Sequence, residues 1–266
     1  MPRYFVEVSY KGDRYAGFQA QKNANTIQAE VEKALNVFFG INRDDTLLFI
    51  PSEDEEVQEV KTIMLTGASR TDSGVHARQN YFHFDTNSDL EEKHVLGKCV
   101  YNINAILPAD IMIRAITRVA DASHCRFDAL SRTYQYSVYH QKNPFLTDRA
   151  FFYPYPLNGY LLKEAADKIL KHSHFEAFSK KRTQVHTFNC NIIESEWMKR
   201  DDVLIYRVTA NRFLRGMVRG LVGTMLAVGK EKISINAFSN ILLNNDSSPV
   251  DFSVPAHGLC LMSVNY

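Results

Sequence analysis

The feature that most constrains the fold is a pattern of short strands and amphipathic helices that occurs twice along the chain. Strand-like segments alternate aromatic and β-branched residues with polar ones, whereas helix-like segments carry apolar residues every three or four positions. In the first half this pattern predicts strands over 4–10, 61–66 and 79–84 and helices over 26–39 and 92–106. In the second half it predicts strands over 131–139, 203–210 and 259–265 and helices over 161–171 and 213–228.

Two similar halves of this kind predict an α+β protein. Proline-containing stretches at 143–144 and 153–156 mark turns, and no Gly/Ser/Pro-rich linker separates the halves. A chain of 266 residues suits one large domain or two closely packed halves. We therefore predict an N-terminal α+β half over residues 1–110 and a C-terminal α+β half over residues 111–266.

A short polar loop over residues 66–77, here called the signature loop, lies between two predicted strands and carries Asp72 close to Arg70. Gly67 and Gly74 bracket this pair, and the neighbouring hydroxyl side chains can fix a turn. A loop of this kind on a rigid scaffold can offer a single acid to a substrate. On composition alone, an ordinary turn with a surface ion pair is the simpler interpretation.

Four further motifs accompany the signature loop, and all five occur in one order across nearly the whole chain. They are Tyr15-Ala16-Gly17-Phe18-Gln19 with Thr26-Ile27-Gln28, Arg70-Thr71-Asp72 with Gly74-Val75-His76-Ala77, Arg132-Thr133-Tyr134-Gln135-Tyr136, Phe213-Leu214-Arg215-Gly216-Met217-Val218-Arg219, and Pro255-Ala256-His257-Gly258-Leu259. Together they resemble the motifs of the A family of tRNA pseudouridine synthases. Ser69 and Ser73 depart from that family, which usually has Gly and Ala at these positions.

The resemblance implies the pseudouridine synthase fold, in which two ferredoxin-like halves share a long mixed, mainly antiparallel sheet with a cleft between them. It also implies a homodimer that converts uridine to pseudouridine at tRNA positions 38, 39 and 40, in the anticodon stem-loop. The alternatives are a related synthase with broader RNA targets and a catalytically idle tRNA-binding protein on the same scaffold. The presence of Asp72, Tyr134 and Arg219 argues against the idle protein.

The resemblance also assigns roles to single residues. Asp72 matches the catalytic aspartate, which acts as nucleophile or general base. Whether it attacks ribose, adds to the base or removes a ribose proton to give a glycal stays open. Arg219 matches the arginine that pairs with this aspartate, Tyr134 the tyrosine that stacks on the target uracil, and Leu259 an apolar wall of the uracil pocket. We interpret Arg70 as a planar cation that fills the space left by a flipped uridine.

Each binding residue also has a structural interpretation. Arg219 alone would be a surface cation on a helix, and Arg70 would be one half of a structural ion pair. Tyr134 and Leu259 would be core residues, as we expect for Tyr136 on the same strand.

The net charge of +1 is low for a nucleic-acid-binding protein. Residues 42–62 hold seven acids and two bases, and the rest of the chain, with 29 bases and 23 acids, carries +6. We interpret the acidic segment as a solvated hairpin that points away from RNA. Lys180-Lys181-Arg182 and the arginines near 212–219 are the predicted phosphate contacts.

No cofactor is expected, because this isomerisation needs neither a redox change nor a group donor. The four cysteines are widely spaced, and His172 and His174 lack a third ligand at sensible spacing, so we also expect no metal. No apolar run approaches the roughly 20 residues that span a bilayer, and the N-terminus lacks a secretory pattern. A cytoplasmic enzyme without membrane contacts is the expectation.

Overall fold

The computed structural model describes residues 1–40, 63–86, 90, 96–180 and 185–266. The strands of this part are β1 (Arg3–Tyr10), β2 (Thr66–Gly67), β3 (His76–Asp85), β4 (Ile111–Val119), β5 (Ser131–Tyr139), β6 (Phe151–Phe152), β7 (Ile192–Arg200), β8 (Val203–Ala210) and β9 (Leu259–Asn265). Its helices are α1 (Ile27–Phe38), α2 (Leu96–Ile106), α3 (Gly159–Leu170), α4 (Met217–Gly229) and α5 (Ile235–Asn244). The predicted α+β class is confirmed.

All nine strands form one mixed sheet, in which seven follow the order β4-β1-β3-β9-β5-β8-β7. β2 pairs with β3, and β6 pairs with β5. Most neighbours are antiparallel, and the parallel pairs are β3–β9 and β5–β6. The β3–β9 pair joins the two parts of the sheet through the partners His76↔Cys260 and Ala77↔Leu261. The predicted long, mainly antiparallel mixed sheet is therefore confirmed.

β4 is a strand that the sequence pattern did not predict. It follows the proposed boundary at residue 110, yet it pairs with β1 at the N-terminal edge of the sheet. β4 therefore extends the part of the sheet that contains β1 and β3. β7 and α5 also lay outside the predicted set, as did the two-residue β6.

The amphipathic pattern of the first helix is confirmed in α1. Thr26 is its N-cap, and its hydroxyl accepts a hydrogen bond from the amide of Ala29 at 3.3 Å. The apolar stripe of Ile27, Val31 and Leu35 is fully buried against the sheet core. Among the described residues, no helix is both long enough and apolar enough to cross a membrane.

The strand predicted over 61–66 is wrong for most of its described part, where only Thr66 belongs to a strand. Side chains of α1 accept hydrogen bonds from backbone amides that would otherwise bond to a neighbouring strand. Asn36 Oδ1 accepts from the amide of Ile63 at 2.9 Å, and Glu32 Oε1 accepts from that of Leu65 at 3.0 Å. Residues 61 and 62 lie outside the described part.

The predicted starts of two helices, at residues 213 and 92, have different outcomes. The helix predicted from residue 213 begins at Met217, because Gly216 adopts a left-handed conformation with φ of +75° and ends the preceding turn. The start predicted at residue 92 lies outside the described residues, whereas the predicted end at Ile106 is confirmed.

Helix α4 packs unusually close to the segment before β9. A Cβ atom at Gly223 would overlap the carbonyl oxygen of Asp251, and one at Gly220 would lie 2.8 Å from the ring of Phe252. These two glycines therefore let the chain over 250–254 approach the helix backbone directly.

We expect Gly223→Ala to lower the free energy of unfolding by about 1–3 kcal/mol, because the new methyl group has no space in this contact. Gly97→Ala is the matched control, since Gly97 lies near the start of α2 with open space around it and a helical Gly→Ala change stabilises by roughly 0.5–1 kcal/mol. Urea unfolding of the three proteins measures both effects. Equal midpoints for Gly223→Ala and the parent chain would contradict the close approach.

Candidate functional site

The signature loop is held by a neighbouring segment, residues 12–18, which we call the clamp. The amide of Phe18 donates to the carbonyl of Thr71 at 3.1 Å, and Ser73 Oγ donates to the carbonyl of Tyr15 at 3.1 Å. These bonds fix the residues on both sides of Asp72. The loop is thus a supported element rather than a free surface turn.

Gly17 makes this support possible. Its φ is +115°, and a Cβ atom there would lie 3.0 Å from the carbonyl oxygen of Thr71. A residue with a side chain would be strained at this position. L-residues rarely adopt this backbone conformation, and the backbone of the signature loop occupies the space that a Cβ atom would need.

A second support comes from the chain just before β9. A Cβ atom at Gly74 would lie 3.2 Å from Ala256, so the signature loop contacts the 3₁₀ turn Ala256–Gly258. The carbonyl of Val254 accepts from Arg219 Nε at 2.9 Å, and the next carbonyl accepts from Tyr136 Oη at 2.8 Å. Helix α4, strand β5 and the signature loop therefore meet at this turn.

Asp72 is half-buried at the centre of these contacts. Among the residues that the structure describes, its carboxylate has no hydrogen-bond or ion-pair partner, while its main-chain oxygen accepts from the amide of Val75 at 3.2 Å. Burial raises the pKa of the Tyr134 hydroxyl, nearby Arg132 lowers it, and Asp72 raises it, so Asp72 lies close enough to Tyr134 to affect that pKa. The structure therefore brings the predicted aspartate and tyrosine to one place.

Tyr134 is 7% exposed and packs edge-on against Phe213, with ring centroids 5.1 Å apart. In the sheet it lies opposite Leu261 of β9 and Val208 of β8. Burial raises the pKa of its hydroxyl above the ordinary tyrosine value, at which the group is already protonated at neutral pH. Tyr136, which is fully buried, has the core position expected of it.

Leu259 is 6% exposed and lies opposite Tyr136 at the start of β9. It directly follows the 3₁₀ turn that contacts Gly74. The predicted pocket wall and the signature loop are therefore linked through one short segment.

The predicted ion pair between Arg219 and Asp72 is not formed in the structure. The guanidinium of Arg219 instead donates to the carbonyls of Val254 at 2.9 Å and Phe252 at 3.4 Å. The close packing of this segment on α4 brings those carbonyls within reach of the side chain. Arg219 thus holds the turn beside the signature loop rather than the carboxylate itself.

Arg70 is exposed and forms no ion pair with any described residue. Its side chain borders a cavity of about 210 Å³ together with other polar and aromatic residues: Phe18, Gln19, Gln28, Leu65, Thr66, Gly67, His124, Arg126 and Phe127. A structural ion pair within the described part therefore does not explain Arg70, and its charge is available to a ligand.

Arg132 is a site residue to which the motif resemblance gave no role. It is 9% exposed and donates to the carbonyls of Ala129 at 2.9 Å, Asn211 at 2.8 Å and Arg126 at 2.7 Å. A longer bond of 3.5 Å reaches Ser69 Oγ in the signature loop. Burial lowers the pKa of Arg132. The sequence signal was the position of Arg132, a charged residue within the predicted strand 131–139. Its hydrogen bonds connect this strand to the neighbouring segments.

His83, His124 and Cys125 bring three possible metal-ligand atoms within 4.8 Å of one another. Cys125 Sγ lies 3.1 Å from His83 Nδ1 and 3.2 Å from the carbonyl of Thr66. Burial raises the pKa of the Cys125 thiol to about 12 and lowers that of His83 to about 4, so both groups are neutral at pH 7. We interpret the cluster as a hydrogen-bonded contact between β3 and the 124–127 segment.

The histidines considered as metal ligands and the basic residues predicted to contact phosphate do not form one cluster in the described part of the chain. His174 bonds to Asn189 at 2.9 Å rather than to His172. The amide of Lys180 donates to the carbonyl of Arg215 at 2.9 Å, which places this lysine beside the start of α4. Lys181, Arg182 and the acidic segment 42–62 lie outside the described residues.

Comparisons with known proteins point to one family. A family model described as tRNA pseudouridine synthase matches residues 166–266. A protein of Azobacteroides pseudotrichonymphae named tRNA pseudouridine synthase A is 36% identical over 266 residues, covering 100% of this chain and 97% of that protein. Proteins of the same name from Parabacteroides distasonis and Staphylococcus aureus are 35% and 32% identical, covering 100% and 98% of this chain and 96% and 91% of their own lengths.

The neutral state of His83 predicts a pH dependence of stability. Its pKa lies below the ordinary 6.5, at about 4, because of burial and then the charges of Arg3 and His124. Between these two values the unfolded chain binds more protons, so the free energy of unfolding falls as the pH drops. The loss from His83 is on the order of 2–3 kcal/mol.

The variant His83→Asn should flatten this dependence, because its amide oxygen can accept from the amide of Cys125 as Nδ1 does now, at 3.3 Å. The exposed His186→Asn is the control and should leave the slope unchanged. Urea unfolding between pH 7 and pH 4 provides the measurement. Parallel curves for His83→Asn and the parent chain would contradict the buried neutral histidine.

Proposed function

Because this chain belongs to the tRNA pseudouridine synthase family, we propose that it isomerises uridine to pseudouridine in tRNA, with Asp72 as the catalytic residue. The observation that carries the role of Asp72 is its environment. The carboxylate is half-buried, has no partner among the described residues, and belongs to a loop that the clamp and the 3₁₀ turn hold in place.

The reaction breaks the bond between ribose C1′ and uracil N1, turns the base, and joins C1′ to C5, while C5 loses its proton and N1 takes one up. An ionised carboxylate beside the nucleotide can act as nucleophile or as general base. Because no protein cation neutralises Asp72 in the described part, its charge is available to the substrate. Tyr134 supports the proposal as a protonated aromatic residue coupled to this charge, suited to stack on the uracil.

The remaining site residues take complementary roles in this proposal. Arg70, exposed and without an ion-pair partner in the described part, fills the space left by the flipped uridine and contacts phosphate. Leu259 forms an apolar wall of the uracil pocket, in line with its place after the turn. Arg219 acts on the substrate site through the chain before the 3₁₀ turn, whose carbonyls at Val254 and Phe252 it binds.

We further propose positions 38, 39 and 40 of the anticodon stem-loop as the targets, and a cytoplasmic homodimer as the active form. The net charge of +1 supports pairing, because a second subunit enlarges the basic surface that meets tRNA. A division into halves near residue 110 and a reaction without metal or cofactor complete the proposal.

Replacing the carboxylate tests the catalytic assignment. We expect Asp72→Asn to abolish release of tritium from tRNA labelled at uridine C5 while leaving tRNA binding within about twofold, because the amide cannot act as nucleophile or base. Asp13→Asn is the matched control, since this exposed aspartate lies in the clamp and should keep its activity. Unchanged tritium release from Asp72→Asn would refute the role of Asp72.

The target positions can be tested separately. Unmodified tRNA treated with the enzyme, then with a carbodiimide that marks pseudouridine, should stop reverse transcription at positions 38, 39 and 40. Stops spread over other arms or other RNAs would support the alternative of a synthase with broader targets.

Sedimentation of the free protein over a range of concentrations should reveal a dimer, and a monomer at all concentrations would remove the homodimer from the proposal.

A further inference from the structure

Residues 124–127 display an aromatic ring in solvent, and we call this segment the platform. Phe127 is 74% exposed, although a phenylalanine ring is ordinarily buried. The ring of His124 lies beside it, with centroids 4.2 Å apart and an angle of 36° between the planes. The guanidinium carbon of Arg126 lies 5.7 Å from the Phe127 centroid.

The platform borders the same cavity as Arg70. This cavity, of about 210 Å³, is lined by Arg70 and by His124, Arg126 and Phe127 of the platform, among other residues. Neither arginine forms an ion pair with a described residue. Two cations without a described ion-pair partner and an exposed aromatic ring therefore border one cavity, and one of these cations, Arg70, precedes Asp72 by two positions in the chain.

Hydrogen bonds hold the platform without using its exposed ring. His124 Nδ1 accepts from the amides of Arg126 at 3.1 Å and Phe127 at 3.4 Å, and Asp128 Oδ2 accepts from the amide of His124 at 2.7 Å. Arg132 binds the carbonyl of Arg126 at 2.7 Å and reaches Ser69 in the signature loop. The exposed ring is therefore preorganised relative to the signature loop. This lowers the entropy cost of binding a ligand.

We propose that the platform and Arg70 form a second nucleotide site, which stacks an unpaired base of the tRNA beside the flipped uridine. This inference rests on the proposed function, because it takes tRNA as the substrate. Protein sites for single-stranded RNA combine aromatic faces that stack on bases with arginines that bind phosphate. Phe127 supplies the stacking face here, while Arg126 and Arg70 supply the cations.

Binding of unmodified tRNA, measured by fluorescence anisotropy, tests the stacking face. In the Asp72→Asn background, which prevents turnover, we expect Phe127→Ala to weaken binding about 5- to 150-fold, the usual range for loss of one stacked base. Phe127→Trp should bind within about threefold of the parent, because it keeps an aromatic face. Phe145→Ala is the matched control, since Phe145 is 80% exposed outside the cavity.

Arg126→Gln should weaken binding and reduce the slope of log affinity against log salt by about 1. Equal affinities for Phe127→Ala and Phe145→Ala would overturn the site.

Photocrosslinking of the parent chain supplies evidence that does not depend on a variant folding. Anticodon-arm RNA that carries 5-iodouridine should crosslink within residues 124–127, and crosslinks confined to other peptides would equally overturn the proposal.

These outcomes separate the two proposals. Absence of pseudouridine formation by the parent chain would refute the proposed function, whatever the Phe127 variants do. Pseudouridine formation by the parent chain together with full tRNA affinity in Phe127→Ala would refute only the second nucleotide site.

Discussion

The short parallel pairing of β3 with β9 is the constraint on which the site depends. The signature loop leads directly into β3, and the 3₁₀ turn Ala256–Gly258 leads directly into β9. Parallel strands begin at the same edge of a sheet, so pairing His76 with Cys260 brings the two preceding segments together. Contacts between Gly74 and Ala256, and of Arg219 with the chain before the turn, follow from this arrangement.

Backbone carbonyls, rather than carboxylates, bind the arginines that organise the site. Arg132 donates to three carbonyls and Arg219 to two. An arginine placed against Asp72 would have held the charge of the carboxylate in a protein ion pair. Because carbonyls bind these guanidinium groups, the sheet gains its internal connections while the carboxylate of Asp72 has no cation partner among the described residues.

Sequence patterns predicted correctly those strands and helices whose buried residues follow the regular spacing of a strand or a helix. The strands over 131–139, 203–210 and 259–265 have the predicted bounds. The pattern failed at residues 63–65, where side chains of α1 replace a neighbouring strand, and at 213–216, where Gly216 delays the helix. Motifs singled out Asp72 as a candidate catalytic residue, but they could not show the carbonyl partners of Arg219, because those lie on a chain segment more distant in sequence.

The order of strands in the sheet has a consequence for synthesis of the protein. β9 follows every other described strand in sequence, yet it occupies the centre of the sheet between β3 and β5. While the nascent chain emerges from the ribosome, the segments of β3 and β5 that pair with β9 stay unpaired until β9 has been translated. Such edges can recruit strands of other chains. A ribosome that stops before residue 259 would therefore release a chain that lacks the β3–β9 pairing and leaves segments of β3 and β5 open.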